Sequence, residues 1–598
     1  VLAYNTIGAI LGSAVSGFIL IYLVGIERSL QILILINIAF GLTVISSVQK
    51  KKILTFGIPA VCAVSILFLT LNPGIWHFWD TKDFAMQLAN QPKSSKDPAK
   101  IREDKDRTVV LYYGEGAQAI VSSVKTKGGN QFFITNGRPE ASDSLADMQC
   151  QFTLGHVPML LNKNPRKVFV LGTGSGMTLG ATSVHPTVEK IVLAEIEPKV
   201  LGVARSFAKY NHDVLNNPKL KIVFNDGRNY LLTTKEKFDV ITADPIHPWF
   251  SGAGYLYSDE YFRLAAQHLN PGGVIAQWLP LYELTDQNLK SVVKTFSNNF
   301  RHTMVWVTYY DAILIGSNEP IILDEQDLER RIKQTEIRKD LESVFMGSAE
   351  DLLSYFLMGN KGVSAYAGNG TINSDNNLYL EFSAPLSIGN SKLMVSNIAE
   401  LFKYREGLLQ YLAPGKGTLP DNRRTEQWSK NLNAATATDP AYLMFLAGGS
   451  GTPEFNSRMA GVSSAHPAYA RSRYLTSEIE RMQSMEPRLV QQLELPLRTS
   501  EGKTVTVRFC AVMSRMNKDY AVVDFVDNNS HKRFGRLEVE GEGTDPFIMQ
   551  RITAIMAGVR DIHGRANAKG NTPPPAAAVL PEIERLVTAM SKSTTPSN

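Results

Sequence analysis

Five short apolar runs, KVFVLG, KIVLAEIE, LKIVFND, FDVITAD and GGVIAQWL, follow one another between Lys167 and Leu279 and alternate with helical stretches such as Pro198–Tyr210 and Tyr257–Leu269. This alternation constrains the fold more than any other feature of the chain. A strand that is apolar along its whole length has to be covered on both faces, and helices between successive strands do that around a parallel sheet. MVWVTYY and AILIGS are predicted to close the sheet as an antiparallel edge pair, and the α/β domain is assigned to residues 148–318.

The carboxyl ends of these strands carry the chemistry. The first ends in VLGTGSG, where Gly172, Gly174 and Gly176 turn the chain tightly from strand into helix and let backbone N–H groups approach a ligand. The second ends in LAEIEP, which places Glu195 and Glu197 about 20 residues further on, where an acid can accept both hydroxyls of a ribose. The third ends in Asn225-Asp226-Gly227, with an acid in reach of the exocyclic amine of adenine, and the fourth in TADPIHPW, with Asp244 at its tip. Any one of these acids could cap a helix or a turn. Acids closing three successive strands beside a glycine turn point to a nucleotide site, because ligands of open α/β sheets sit at these ends. The spacing G-x-G-x-G departs from the G-x-G-x-x-G of a dinucleotide site and favours an adenosyl nucleoside.

The remaining sequence divides by composition. With 598 residues, 44% of them hydrophobic, the chain is too long for one core. Ile7–Val24, Leu30–Val48 and Ile53–Leu71 are uncharged, apolar and each long enough to cross about 30 Å of hydrocarbon as a helix. Gly8 and Gly12 are spaced for close helix approach, and Trp76 and Trp79 suit an interfacial anchor. The chain opens at Val1 inside an apolar stretch, so further spans are expected upstream. The expected order is membrane helices over 1–75, a linker over 76–107, a small antiparallel β-sheet domain over 108–147, the α/β domain over 148–318, a mixed region over 319–413, an α+β region over 414–565 and a mostly disordered tail over 566–598, rich in proline and alanine. A net charge of +5 without a basic, aromatic-laced stripe gives no reason to expect nucleic acid. The three cysteines, Cys62, Cys150 and Cys510, form neither a disulfide framework nor a metal-ligand spacing, and no metal is expected.

LYYGEG, NGRPEASDSLADMQCQFTLGHVPML, NPRKVFVLGTGSG, LAEIEP, NDGRNYL and DPIHPW follow in an order that resembles the spermidine synthases, the polyamine aminopropyltransferases, over Val109–Ser317. YNTIGAILGSAVSGFIL and INSDNNLYLEFSAP resemble the membrane-fused bacterial branch of that family and extend the likeness to Leu412. The resemblance implies a Rossmann-like domain that binds decarboxylated S-adenosylmethionine as co-substrate, an amine such as putrescine as acceptor, and a multi-pass protein of the bacterial inner membrane in contact with the lipid bilayer. Members often form homodimers. By resemblance Glu195 holds the ribose, Asp226 and Gly227 the adenine end, Asp244 takes or steers the proton of the attacking amine, and Gln151 lies near nucleotide and amine.

Three positions depart from the family pattern. Ser175 stands where the glycine loop usually carries an Asp, His247 where a second Asp follows the catalytic one, and Cys150 where a Tyr precedes Gln151. Ser175, His247 and Asp143 are candidate substrate contacts. Glu140, Asp143 and Asp147 could restore the missing negative charge or could form a solvated turn; His247 could act near neutral pH or stack on Trp249. The missing carboxylates keep open a methyltransferase on the same fold and a transporter or sensor that binds without turnover. Lys50–Lys52 would place their loop in the cytoplasm and send the catalytic domain outside. The cytoplasmic supply of S-adenosyl donors and the basic residues from Lys93 to Arg107 favour a cytoplasmic domain.

Overall fold

The structure, a computed structural model, describes residues 2–48, 80–86, 108–126, 129–413, 421–485, 487–517, 520–540, 546–567 and 572–591, with Val64, Phe78 and Lys105. The chain forms two compact units, Val1–Lys125 with Gln131–Arg473, and Thr126–Asn130 with Tyr474–Asn598.

The first unit begins with the helices Leu2–Val15 and Ile21–Val48, joined by a π-helical turn, Ser16–Leu20. Leu2–Gly41 is one stretch long and apolar enough to cross a membrane. Two separate spans were expected here; two helical segments meet at a kink at Gly25, where φ is 84°, a conformation glycine adopts without strain. The Ile26 N–H donates to the Glu115 carboxylate at this break, and the Phe78 N–H donates to Glu27 Oε1 at 2.7 Å. The third apolar run (Val64 excepted), Lys50–Lys52, Trp76, Trp79, Cys62 and most of the 76–107 linker lie outside the described residues.

Four strands, β1 (Val109–Glu115), β2 (Ile120–Lys125), β3 (Gln131–Thr135) and β4 (Arg138–Ser142), form an antiparallel meander. The short helix Thr81–Ala85 packs Ala85 against Val124 and Ile134 of this sheet.

The α/β sheet contains β5 (Lys167–Leu171), β6 (Lys190–Glu195), β7 (Leu220–Phe224), β8 (Phe238–Ala243), β9 (Leu269–Pro280), β10 (His302–Val307), β11 (Asp311–Ser317) and β12 (Phe356–Met358). Their order is β12-β10-β11-β9-β8-β5-β6-β7. β7, β6, β5, β8 and β9 are parallel; β9, β11, β10 and β12 pair antiparallel. The expected edge pair is therefore present but is not the edge. β12, too short to read from periodicity, covers it. β5 sits where the order reverses, with β6 on one side and β8 on the other. This is the switch point at which such sheets bind ligands.

The helices Asp421–Leu446 and Pro453–Ala465, beyond residue 414, belong to the first unit. Trp428, from the helix Asp421–Leu446, joins its core, and the Tyr442 hydroxyl donates to the carbonyl of Thr308 at 3.1 Å, behind the β10–β11 turn.

The second unit is a four-stranded antiparallel meander, β13 (Arg488–Arg498), β14 (Thr504–Asn517), β15 (Tyr520–Asp527) and β16 (Arg533–Glu540), covered by the helices Pro546–Asn567 and Ala576–Ser591. The expected disordered tail is corrected here. Val579, Ile583 and Val587 recur every fourth residue, make one helical face and are fully buried with Phe509, Phe525 and Ile552. Each such burial is worth about 1.5–3 kcal/mol, which outweighs the local bias of the proline and alanine composition.

Candidate active site

β5 lies in register between its neighbours, Leu171 opposite Ala243 of β8 and opposite Ala194 of β6. Gly172, Asp244 and Glu195 therefore leave the sheet side by side. Gly172, Gly174 and Gly176 all have positive φ (84°, 53° and 82°), so the turn is closed to L side chains at three places. The Glu195 carboxylate accepts the N–H of Thr173 at 2.8 Å and of Glu197 at 2.9 Å, fastening the glycine turn to the tip of β6. Burial pushes this carboxyl up and the two N–H bonds pull it back. Glu197 accepts the N–H groups of Gln118 and Lys199, each at 2.9 Å. Asp226 caps the helix Gly227–Thr233 by accepting the Asn229 N–H at 2.7 Å and still lines the ligand cavity. The Ser175 hydroxyl donates to Gln151 Oε1, which ties the glycine turn to the helix Leu145–Leu161.

These residues form one wall of a cavity of about 520 Å³. The other wall comes from the small sheet, the start of the helix Leu145–Leu161 and the turn between β10 and β11. Glu140, Asp147 and Asp311 line it with Trp278, Tyr282 and Tyr310. Asp147 accepts the Tyr310 hydroxyl at 2.6 Å and also the Ser142 hydroxyl. Asp311 accepts the Trp278 indole N–H at 3.0 Å. Burial, then the neighbouring Asp147, holds the Asp311 carboxyl well above the usual carboxylate range. Asp244, buried and facing the charges of Glu140 and Asp147, is pushed up to about 7. The cavity thus has seven carboxyl side chains, those of Glu140, Asp147, Glu195, Glu197, Asp226, Asp244 and Asp311, and no lysine, arginine or histidine among the described residues that line it.

Gly172, Gly174, Ser175, Gln151, Glu195, Asp226, Gly227 and Asp244 meet at this cavity. Three expected site residues do not line it. Gly176 starts the helix behind the turn. Both oxygens of Asp143 are engaged elsewhere, accepting the Gln131 N–H and the Tyr210 hydroxyl, each at 2.8 Å. His247 is 2% exposed and packs against Trp249 with ring centres 4.4 Å apart and the rings tilted by 31°. Its Nδ1 lies 2.9 Å from Glu140 and its Nε2 2.9 Å from the Tyr282 hydroxyl, so it orients two groups that do face the cavity. The solvated turn considered for Glu140 and Asp147 is replaced by a buried wall. Asp311 escaped the sequence reading; its signal was a lone acid between two apolar runs. The Cys150 thiol is pushed up by burial, which makes it unreactive. Among the described residues no group of three or more His, Cys, Asp or Glu side chains is placed to hold a metal ion.

A glycine turn opposite an acidic chamber, at the switch point of a doubly covered sheet, defines a class of α/β proteins that bind their ligands at the strand ends. Comparison with known proteins places the chain within it. The spermine/spermidine synthase domain matches residues 148–317. A polyamine aminopropyltransferase of Aeropyrum pernix is 31% identical over 211 residues, covering 34% of this chain and 67% of that protein. One of Thermococcus onnurineus is 30% identical over 212 residues, covering 34% of this chain and 74% of that protein. The solved spermidine synthase from Thermotoga maritima aligns over 43% of this chain and 87% of that one at 23% identity, with a TM-score of 0.36. The chain belongs to the spermine/spermidine synthase family and is a transferase of the polyamine aminopropyltransferase kind.

Proposed function

We propose that the protein transfers the aminopropyl group of decarboxylated S-adenosylmethionine to a polycationic amine such as putrescine. The observation that carries this reading is the cavity of seven carboxyl groups with no cationic side chain among the described residues that line it. A sulfonium donor bearing an ammonium, together with a protonated amine, matches that charge. Ordinary S-adenosylmethionine brings a carboxylate that would meet only acids there, which disfavours methyl transfer. The charge that Ser175 and His247 do not provide comes from Glu140, Asp147 and Asp311.

The glycine turn, Glu195 and Asp226 hold the adenosyl end. The acceptor nitrogen must be neutral to attack. Its lone pair forms a bond to the aminopropyl carbon next to the sulfonium while the carbon–sulfur bond breaks, and methylthioadenosine leaves as a neutral thioether. The proton shed by the new secondary amine passes to Asp244, whose carboxyl titrates near 7 and so can take it at neutral pH. The remaining ammonium groups rest on the acidic wall, which fixes nitrogen, carbon and sulfur in line.

Purified protein incubated with labelled decarboxylated or ordinary S-adenosylmethionine and putrescine tests the assignment. Methylthioadenosine release with the decarboxylated donor is expected. Methyl transfer without that product would refute it.

The membrane reading rests on the apolar stretch Leu2–Gly41. We place its span in the bacterial inner membrane with the catalytic unit in the cytoplasm, where S-adenosyl donors are made. A reporter fused after Leu71 that is active only in the periplasm would overturn this topology.

A further inference from the structure

The motif INSDNNLYLEFSAP, residues 372–385, has no part in the transfer chemistry described above, yet it grips the loop that follows Asp244. Asn373 is fully buried, and its side-chain N–H groups donate to the carbonyls of Gly254 at 3.0 Å and Tyr257 at 3.1 Å. Its backbone carbonyl accepts the Asp259 N–H at 2.8 Å. The Glu381 carboxylate accepts the Gly252 N–H at 3.1 Å and the Ser251 hydroxyl at 3.4 Å. Gly254 lies so close to this motif that a Cβ there would sit 3.3 Å from the Glu381 Cβ. Ser251, Gly252 and Ala253 line the cavity, as do Phe250 and Leu256. A further tie runs from the nucleoside side. Arg228, two residues beyond Asp226, makes a two-pronged pair with Asp375, Nη1 to Oδ1 at 2.8 Å, and its guanidinium lies 5.7 Å from the Tyr255 ring centre.

We infer that Asn373 and Glu381 are positioning residues that hold the 250–257 loop in place over the acceptor end of the cavity, with the Arg228–Asp375 pair anchoring the same motif beside the nucleoside end. Loop backbone groups need partners, and this motif supplies them to Gly252, Gly254 and Tyr257. A loop held this way is ordered on folding rather than on binding, so the acceptor amine meets a preformed wall and loses less affinity to ordering. The inference rests on the reading that Asp244 faces the acceptor amine.

The full chain is compared with Glu381→Ala, Glu381→Gln and Asp375→Asn by hydrogen exchange over residues 250–258 and by steady-state kinetics with putrescine and decarboxylated S-adenosylmethionine. Glu381→Ala is expected to raise exchange in that loop, and to raise the KM for putrescine about tenfold, as the loss of one hydrogen bond to a charged acceptor would do. The effect on kcat is expected to be smaller. Glu381→Gln, which keeps an acceptor oxygen, should restore both. Asp375→Asn should raise loop exchange while leaving exchange over β5 and β6 unchanged. Unaltered loop exchange in Glu381→Ala and Asp375→Asn overturns the inference, as does a fall in kcat with faster exchange throughout the unit. Exchange is read without turnover, so a chain that proves to transfer no aminopropyl group still decides this point separately.

Discussion

Asp147 accepts the hydroxyl of Tyr310 at 2.6 Å, joining the first turn of the helix Leu145–Leu161 to the turn between β10 and β11. That single contact closes the acidic wall from two segments distant in sequence. Burial pushes the Asp147 carboxyl up while the Tyr310 and Ser142 hydroxyls pull it down. In Tyr310→Phe the ring can still meet Tyr282 edge to face, now 5.4 Å away, but one donor to a buried acid is gone. Stability is expected to fall by about 1.5–3 kcal/mol, measured by denaturant unfolding. The KM for putrescine should rise as well, because Asp147 is driven further toward its neutral form.

Asp244 gives the enzyme a pH signature. Its carboxyl moves from the ordinary 3.8 to about 7 in the fold. Folding thus favours the neutral form, and the group contributes stability that is fully present below pH 3.8 and is lost as pH rises through about 7. Thermal melts of the ligand-free protein between pH 4 and 8 should show this loss, and Asp244→Asn should remove it from the difference curve. In the proposed transfer the same group must be ionised to take a proton, so kcat/KM is expected to rise through about 7. The Asn variant should lack that limb and lose about 10²–10⁴ in kcat.

What the sequence reveals depends on how local the cause is. The parallel sheet is legible because each of its strands is a continuous apolar run, and VLGTGSG with Glu195, Asp226 and Asp244 is legible because strand ends announce themselves. The second wall is not. Asp311 belongs to the site only because β11 folds back between β9 and β10, Asp147 because Tyr310 of that hairpin reaches it, and Glu140 because His247 meets it. His247 could be read as a base or as a ring packed on Trp249, and only the fold shows Trp249 and Trp278 enclosing it. The helix Ala576–Ser591 was hidden by composition, although its four-residue apolar repeat stood in the sequence.

That helix offers its own test. Ile583 is fully buried between the helix Pro546–Asn567 and the β13–β16 sheet. Ile583→Ala removes three methylene-sized groups and leaves a cavity, so the second unit is expected to lose about 2–5 kcal/mol. Hydrogen exchange over residues 576–591 reads this directly. Fast exchange in the wild-type chain, unchanged by the substitution, would mean that the segment is not folded onto the sheet.

The acidic wall also predicts a proton count. Asp311 is 3% exposed, and burial, then the neighbouring Asp147, push its carboxyl toward the neutral form. A dication entering the cavity favours the ionised carboxylate, so amine binding and proton release are linked. Calorimetric titration of putrescine into the enzyme with methylthioadenosine at pH 7, repeated in buffers of different ionisation enthalpy, should show net proton release. Asp311→Asn keeps an oxygen to accept the Trp278 N–H but cannot ionise. It should release fewer protons and bind putrescine about tenfold more weakly, the equivalent of one lost charge-assisted contact, while the affinity for a monoamine of similar length changes little. Equal weakening for monoamine and diamine would mean that Asp311 supports the wall without meeting the distal ammonium.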